Sequence, residues 1–130
     1  MLTLLQAENI CNKALAKAEE LKTPVSIVIL DFGGHVVLSK RMDNASYLTL
    51  EVAQNKATIS VIFKTPTHIM GEIVKKVPDI KESINIIPGK AILLPGGFPI
   101  MQDNICIGAI GISGGDLETD KAIAIAGIAI

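Results

Sequence analysis

The sequence predicts an α+β domain in which a five-stranded antiparallel sheet carries helices mainly on one side, in the order α-ββ-αα-βββ-α. Three observations lead there. An amphipathic helix opens the chain and an apolar one closes it, the Val- and Ile-rich runs are short, and tight turn pairs rather than helical crossovers join them. At 130 residues there is room for one core, so residues 1–130 form a single domain.

The first helix begins at Thr3, which with Gln6 forms a capping box. Behind it Ala7, Ile10, Cys11, Ala14, Ala18 and Leu21 recur at spacings of three and four, and the helix ends near Lys22 before Pro24. Val25 to Phe32 and His35 to Met42 read as two strands around a two-residue Gly33-Gly34 turn. So tight a turn would set Phe32, Leu30, Val28 and Ser26 on one face with His35, Val37, Ser39 and Arg41.

After the turn signal Asp43-Asn44, residues Ser46 to Lys64 form a second helix with Leu50, Ala53, Ala57 and Val61 on one stripe. Val52, Ile59 and Phe63 lie elsewhere on it, so it is expected to be covered on more than one side. Thr65 as N-cap and Pro66 at the first helical position start a short third helix that ends before Pro78. From Asp79 to Lys90 only a helical turn around Ile80 to Ile84 and the breaker pair Pro88-Gly89 stand out, and the segment reads as an irregular connection. Ala91 to Leu94, Phe98 to Gln102 and Ile105 to Ser113 complete the sheet, parted by Pro95-Gly96-Gly97 and Asp103-Asn104. Gly114-Gly115-Asp116 leads into a last helix with Glu118, Thr119 and Asp120 in its first turn; this helix is apolar all round, so its end should be buried.

Composition limits the function. Twelve Lys and Arg against thirteen Asp and Glu give a net charge of −1 with no concentrated basic stretch, which excludes a polyanion-steering surface and argues against nucleic acid as partner. Residues are 49% hydrophobic and 19% charged, yet the longest apolar stretch, Ala122 to Ile130, is too short to span a bilayer. The surplus apolar surface points to a homo-oligomer. Met1 to Gln6 lacks the features of a secretory signal, and a cytoplasmic location follows as the expectation. Cys11 and Cys106, far apart and outside any Cys-x-x-Cys pairing, read as small buried hydrophobes.

Pro24 to His35, Lys40-Arg41-Met42-Asp43, Asn55-Lys56-Ala57, Lys64-Thr65-Pro66-Thr67, Gly96-Gly97-Phe98-Pro99-Ile100, Gly108 to Gly115, and Asp120 followed by Ala126-Gly127 form an ordered set of segments. Together they resemble the GlcG/HbpS-like family, which includes haem-binding HbpS proteins and the C-terminal domain of PduO. The resemblance implies a profilin-like sheet, assembly from dimers up to octamers, and a small ligand of which haem or another tetrapyrrole is the named class. It also implies association with glycolate, diol or glycerol metabolism.

Candidate site residues follow from both readings. His35, at the family's Gly-Gly-His position, suits a haem iron, an anion, or general acid-base work if the protein is an enzyme. The alternative for His35 is local packing on Phe32. Family haem proteins are associated with a histidine on the first helix, and none lies between Leu2 and Leu21 here. Arg41 and Lys56 suit a carboxylate or phosphate, or an ion pair with Asp43, Glu51 or Asp120. Gly96-Gly97 and Gly114-Gly115 offer open backbone N–H groups to an anion, or simply permit tight turns. His68 falls with Lys64, Glu72 and Lys75 on what reads as the solvated face of the third helix.

No dinucleotide or P-loop glycine pattern, zinc-ligand spacing or G-x-S-x-G nucleophile elbow is present. The sequence therefore supports a small-ligand binder first. An enzyme acting on a small acid or aldehyde, or an accessory oligomer of a metabolic assembly, are its alternatives.

Overall fold

The computed structural model describes residues 1–87, 89 and 91–130. The elements run α1 (Leu4–Glu20), β1 (Ser26–Asp31), β2 (Val36–Arg41), α2 (Tyr47–Phe63), α3 (Thr67–Lys76), α4 (Pro78–Ile84), β3 (Gly97–Gln102), β4 (Ile105–Ser113) and α5 (Leu117–Ile128). The sheet is antiparallel and four-stranded, in the order β2-β1-β4-β3.

Two sequence expectations about the layers are corrected. Ala91 to Leu94 is not a fifth strand. A proline is tolerated in an edge strand where its missing N–H faces away from the sheet, so Pro99 in edge strand β3 withholds a donor where another strand would pair. The 91–94 run instead lies against α3, so close at Gly71 that a side chain there would press on the Leu93 carbonyl.

Nor are the helices mainly on one side. Ile27, Ile29, Ile110 and Ile112 pack with Ala7, Cys11, Ala14 and Ala18 of α1 and Ile123 and Ala124 of α5. On the other face Val28, Leu30, Cys106 and Ala109 pack against Ala53, Ala57 and Val61 of α2. Successive residues of a strand point to opposite faces, so the continuous apolar run of β1 already encoded a sheet buried on both sides.

The stripe expected on α2 faces the sheet, and Ile59 on another side joins Met70, Val74 and Ile84 in a third cluster under α3 and α4. The helix and sheet meet at Gly111, where a Cβ would collide with the backbone of Ala53 and Ala57. At α1 the capping box forms as expected, with Gln6 N–H donating to Thr3 Oγ1 at 3.1 Å and Thr3 N–H to Gln6 Oε1 at 2.8 Å. α3 starts one residue later than expected, because the Thr65 hydroxyl donates to the Phe63 carbonyl at 2.7 Å at the end of α2 instead of capping α3. The helical turn foreseen around Ile80 to Ile84 extends back to Pro78, whereas Pro88 and Lys90 lie outside the described residues.

The β1–β2 turn is wider than two residues. Asp31 N–H donates to the His35 carbonyl at 2.9 Å across a loop of Phe32, Gly33 and Gly34, and Gly34 takes the left-handed conformation with φ 84°. Ser26 pairs with Arg41 and Ile29 with Leu38 as a tight turn would require, but the register then shifts and Leu30 faces Val36. Val37 accordingly packs with the α1–α5 cluster rather than beside Leu30. By contrast, Asp103 and Asn104, at φ 52° and 64°, make the two-residue turn expected between β3 and β4.

The end of α5 is buried on one side only: Gly127 is buried and Ile128 packs against the α1 cluster, while Ile125 and Ile130 are exposed. Cys11 and Cys106 are both buried, in different clusters, as free thiols. Among the described residues no helix is long and apolar enough to cross a membrane.

Candidate functional site

The residues singled out in the sequence fall in three places. Lys56 is buried on α2, its Nζ donating to the Ile112 carbonyl at 2.8 Å and to Asp120 Oδ2 at 3.1 Å. Asp120 Oδ1 in turn accepts from Gly115 N–H at 2.8 Å. Burial pushes Lys56 down and Asp120 up from their ordinary values, each opposed by the charge of the other.

All four glycines belong to this hub. A side chain on Gly96 would meet the Ile112 carbonyl and Lys56 Nζ, and one on Gly97 the Lys56 carbonyl. One on Gly114 would meet the Pro24 carbonyl, and one on Gly115 the Asp120 carboxylate. Gly97 N–H is taken by Thr67 Oγ1 at 3.0 Å, so the amides of Gly97 and Gly115 already have internal partners. The carboxylate held at the second corner is the protein's own.

Arg41 stands at the far end of β2 from His35, roughly 20 Å away at strand rise. Its Nη1 donates to the Ala45 carbonyl at 3.1 Å beside a shallow cleft near Leu15, Lys40 and Asp43. Neither His35 nor Lys56 lines that cleft.

His35 projects from the β1–β2 loop with its side chain 82% exposed and Nδ1 3.3 Å from Asp31 Oδ1. The same carboxylate accepts His35 N–H at 2.9 Å, and that backbone bond holds the Asp31 carboxyl below its ordinary value. The ring lies over Gly33, where a Cβ would come within 3.0 Å of it. Gly33 and Asp31 line a cleft of about 620 Å³ between the two hairpin tips and the end of α2. Its walls are largely apolar, from Leu2, Phe32, Met101, Ile105 and Ile107, and Lys64 at the α2 C-cap sets its ammonium 5.5 Å from the Phe32 ring centre. Phe32 and Ile105, 55% and 65% exposed, leave apolar surface for a ligand to cover.

Over nearly its full length, residues 2–129, the chain matches the model of the haem degrading protein HbpS-like family. It belongs to that family. Corrinoid adenosyltransferase PduO of Salmonella typhimurium is 34% identical over 116 residues, 89% of this chain but 34% of PduO. The chain thus spans about a third of the length of that relative. A crystal structure of a PduOC:heme complex superposes with a TM-score of 0.90 at 32% identity, covering 98% of this chain and 93% of the other. A crystal structure of HbpS does so with a TM-score of 0.88 at 29% identity, covering 98% and 88%.

Two features of this family member escaped the sequence. Phe32 and Lys64 meet at the cleft although they lie in different elements, and only the tertiary fold joins them. His68 is not a plain surface residue: its ring tilts against Phe98 with centroids 5.6 Å apart, and Nδ1 is buried without a partner among the described residues. Desolvation pushes its imidazole below the ordinary value, Lys121 adding to that and Glu118 opposing it.

Proposed function

We propose that the protein binds haem or another tetrapyrrole in the cleft beside the hairpin tips, with His35 as the iron ligand. The observation that carries this reading is the His35–Asp31 pair. Histidines that hold a metal nearly always give their other ring N–H to a carboxylate or carbonyl, and Asp31 stands 3.3 Å from Nδ1, leaving Nε2 free. Phe32, Met101 and Ile105 would cover a porphyrin face, and Lys64 would meet a propionate. Bound there, haem would supply an iron able to exchange electrons. The haem complex of the PduOC relative supports the ligand class.

In this reading Lys56, Gly96, Gly97, Gly114 and Gly115 hold the fold around the site rather than touch the ligand, and Arg41 steadies the loop after β2. The protein works as a homo-oligomer, supported by exposed Leu4, Leu5, Tyr47 and Leu48 at the starts of α1 and α2. A place beside corrinoid metabolism is part of the same proposal, supported by the corrinoid adenosyltransferase relative.

The test is a haem titration followed in the Soret band, on the unaltered protein, His35→Ala and His68→Ala, with assembly monitored by size exclusion. A saturable, stoichiometric shift lost in His35→Ala and kept in His68→Ala supports the reading. No shift, or one that His35→Ala leaves intact, refutes it.

A further inference from the structure

A second cavity, of about 640 Å³, opens between α3, α4, the Leu93–Pro95 segment and the start of α5. Val74, Leu93, Leu94 and Leu117 make most of its wall, and Leu94 and Leu117 are about half exposed. Its polar groups are few. Lys75 stands 3.4 Å from Glu72, so these two largely offset each other, while Lys81 has no carboxylate partner among the described residues. The remaining polar group is His68.

The state of His68 follows from its surroundings. Nδ1 is sealed from solvent with no partner, and a bare lone pair is cheaper to bury there than an N–H without an acceptor. The proton of the neutral ring therefore belongs on Nε2, the nitrogen that is not sealed. Such a ring donates a hydrogen bond and is a poor metal ligand, because coordination through Nε2 would move the proton to the sealed Nδ1. His68 is in this respect the converse of His35.

An aliphatic wall, one donor and one unbalanced cation describe a ligand with an apolar body and a single negative charge. We infer that this cavity binds a carboxylate with an apolar body, its oxygens taking the His68 Nε2 hydrogen bond and facing Lys81. The site is separate from the hairpin cleft, so it stands or falls independently of haem binding there.

The probes are 2-naphthoate and octanoate, with 2-naphthamide as the uncharged control, titrated calorimetrically against the intact chain with NMR assignment of the perturbed residues. Saturable binding of the acids is expected, with shifts at His68, Leu93 and Leu117 and affinity about tenfold above that of the amide. His68→Phe, which keeps the ring against Phe98, and Lys81→Met, an exposed substitution that leaves the core untouched, should each weaken the acids about tenfold. His35→Ala and prior saturation with haem should leave binding unchanged. Equal affinity for acid and amide, indifference to Lys81→Met, or no saturable binding of either acid overturns the inference.

Discussion

At the scale of single residues, the buried charges decide most. Lys56 and Asp120 have lost water on both sides, and what opposes that loss is their contact with each other, with the Ile112 carbonyl and with the Gly115 amide. Removing one partner strands the other, so Lys56→Met should destabilise the fold by about 3–5 kcal/mol in urea unfolding. Adding Asp120→Asn should recover a large part of that loss; a double variant no better than the single would show that the pair is not the source. His68 gives a pH dependence. Its folded value lies below the ordinary 6.5, so between the two the unfolded chain holds more protons. The stability it permits is complete above 6.5 and is lost as pH falls toward the folded value. Desolvation sets most of that fall, the Lys121 charge on α5 adding to it and Glu118 opposing it, while Glu72 and Lys75 on α3 and Lys81 on α4 line the cavity beside the ring. Melting curves across this window should show His68→Phe gaining on the unaltered protein as pH drops, and parallel curves would reject the buried-imidazole account. The sequence could name Asp120 only as one of three partners for Lys56, since 64 positions separate them. It placed His68 on a wet face because Phe98, the ring it packs against, lies on β3, far along the sequence from α3.

At the scale of elements, what was legible followed repeating patterns and what was not followed local exceptions to them. The α2 stripe, the Thr3–Gln6 box and the Asp103-Asn104 turn each depend on residues a few positions apart, and each formed as the spacing required. The Gly33-Gly34 pair depends also on Asp31, whose carboxylate accepts the His35 amide and closes a three-residue loop. That extra residue shifts the register at Leu30. Gly34 holds φ 84° with open space around it, so Gly34→Ala tests conformation alone and should cost about 1–2 kcal/mol. Gly111 is the opposite case, where the obstacle is the α2 backbone itself. Gly111→Ala must push α2 off the sheet, and a loss of at least about 3 kcal/mol in chemical denaturation is expected, near or beyond the usual upper range for overpacking. Should Gly111→Ala prove milder than Gly34→Ala, the close contact of α2 with β4 would not be the constraint described.

At the scale of the whole molecule, the chain has more apolar surface than one protomer hides. Three clusters fill the two faces of the sheet and the space under α3 and α4. Even so, Leu4 and Leu5 at the start of α1, Tyr47 and Leu48 at the start of α2, and Ile130 beyond α5 remain exposed. An exposed apolar side chain gains little where it stands, and each helix start carries a neighbouring pair that a partner surface would cover. A net charge of −1 offers almost no repulsion between copies, so a second copy of the chain meets no electrostatic obstacle. A specific interface buries on the order of 1,200–2,000 Å² in all, of which these side chains would contribute only a part. Leu5→Glu combined with Leu48→Glu places charge on both helices without touching the core, since neither side chain is buried. Light scattering should then report a smaller species than the unaltered chain forms, while the far-ultraviolet circular dichroism stays the same. If both proteins scatter as the same species, these helix starts are not a contact between copies, and the exposed Ile125 on α5 is the next position to alter.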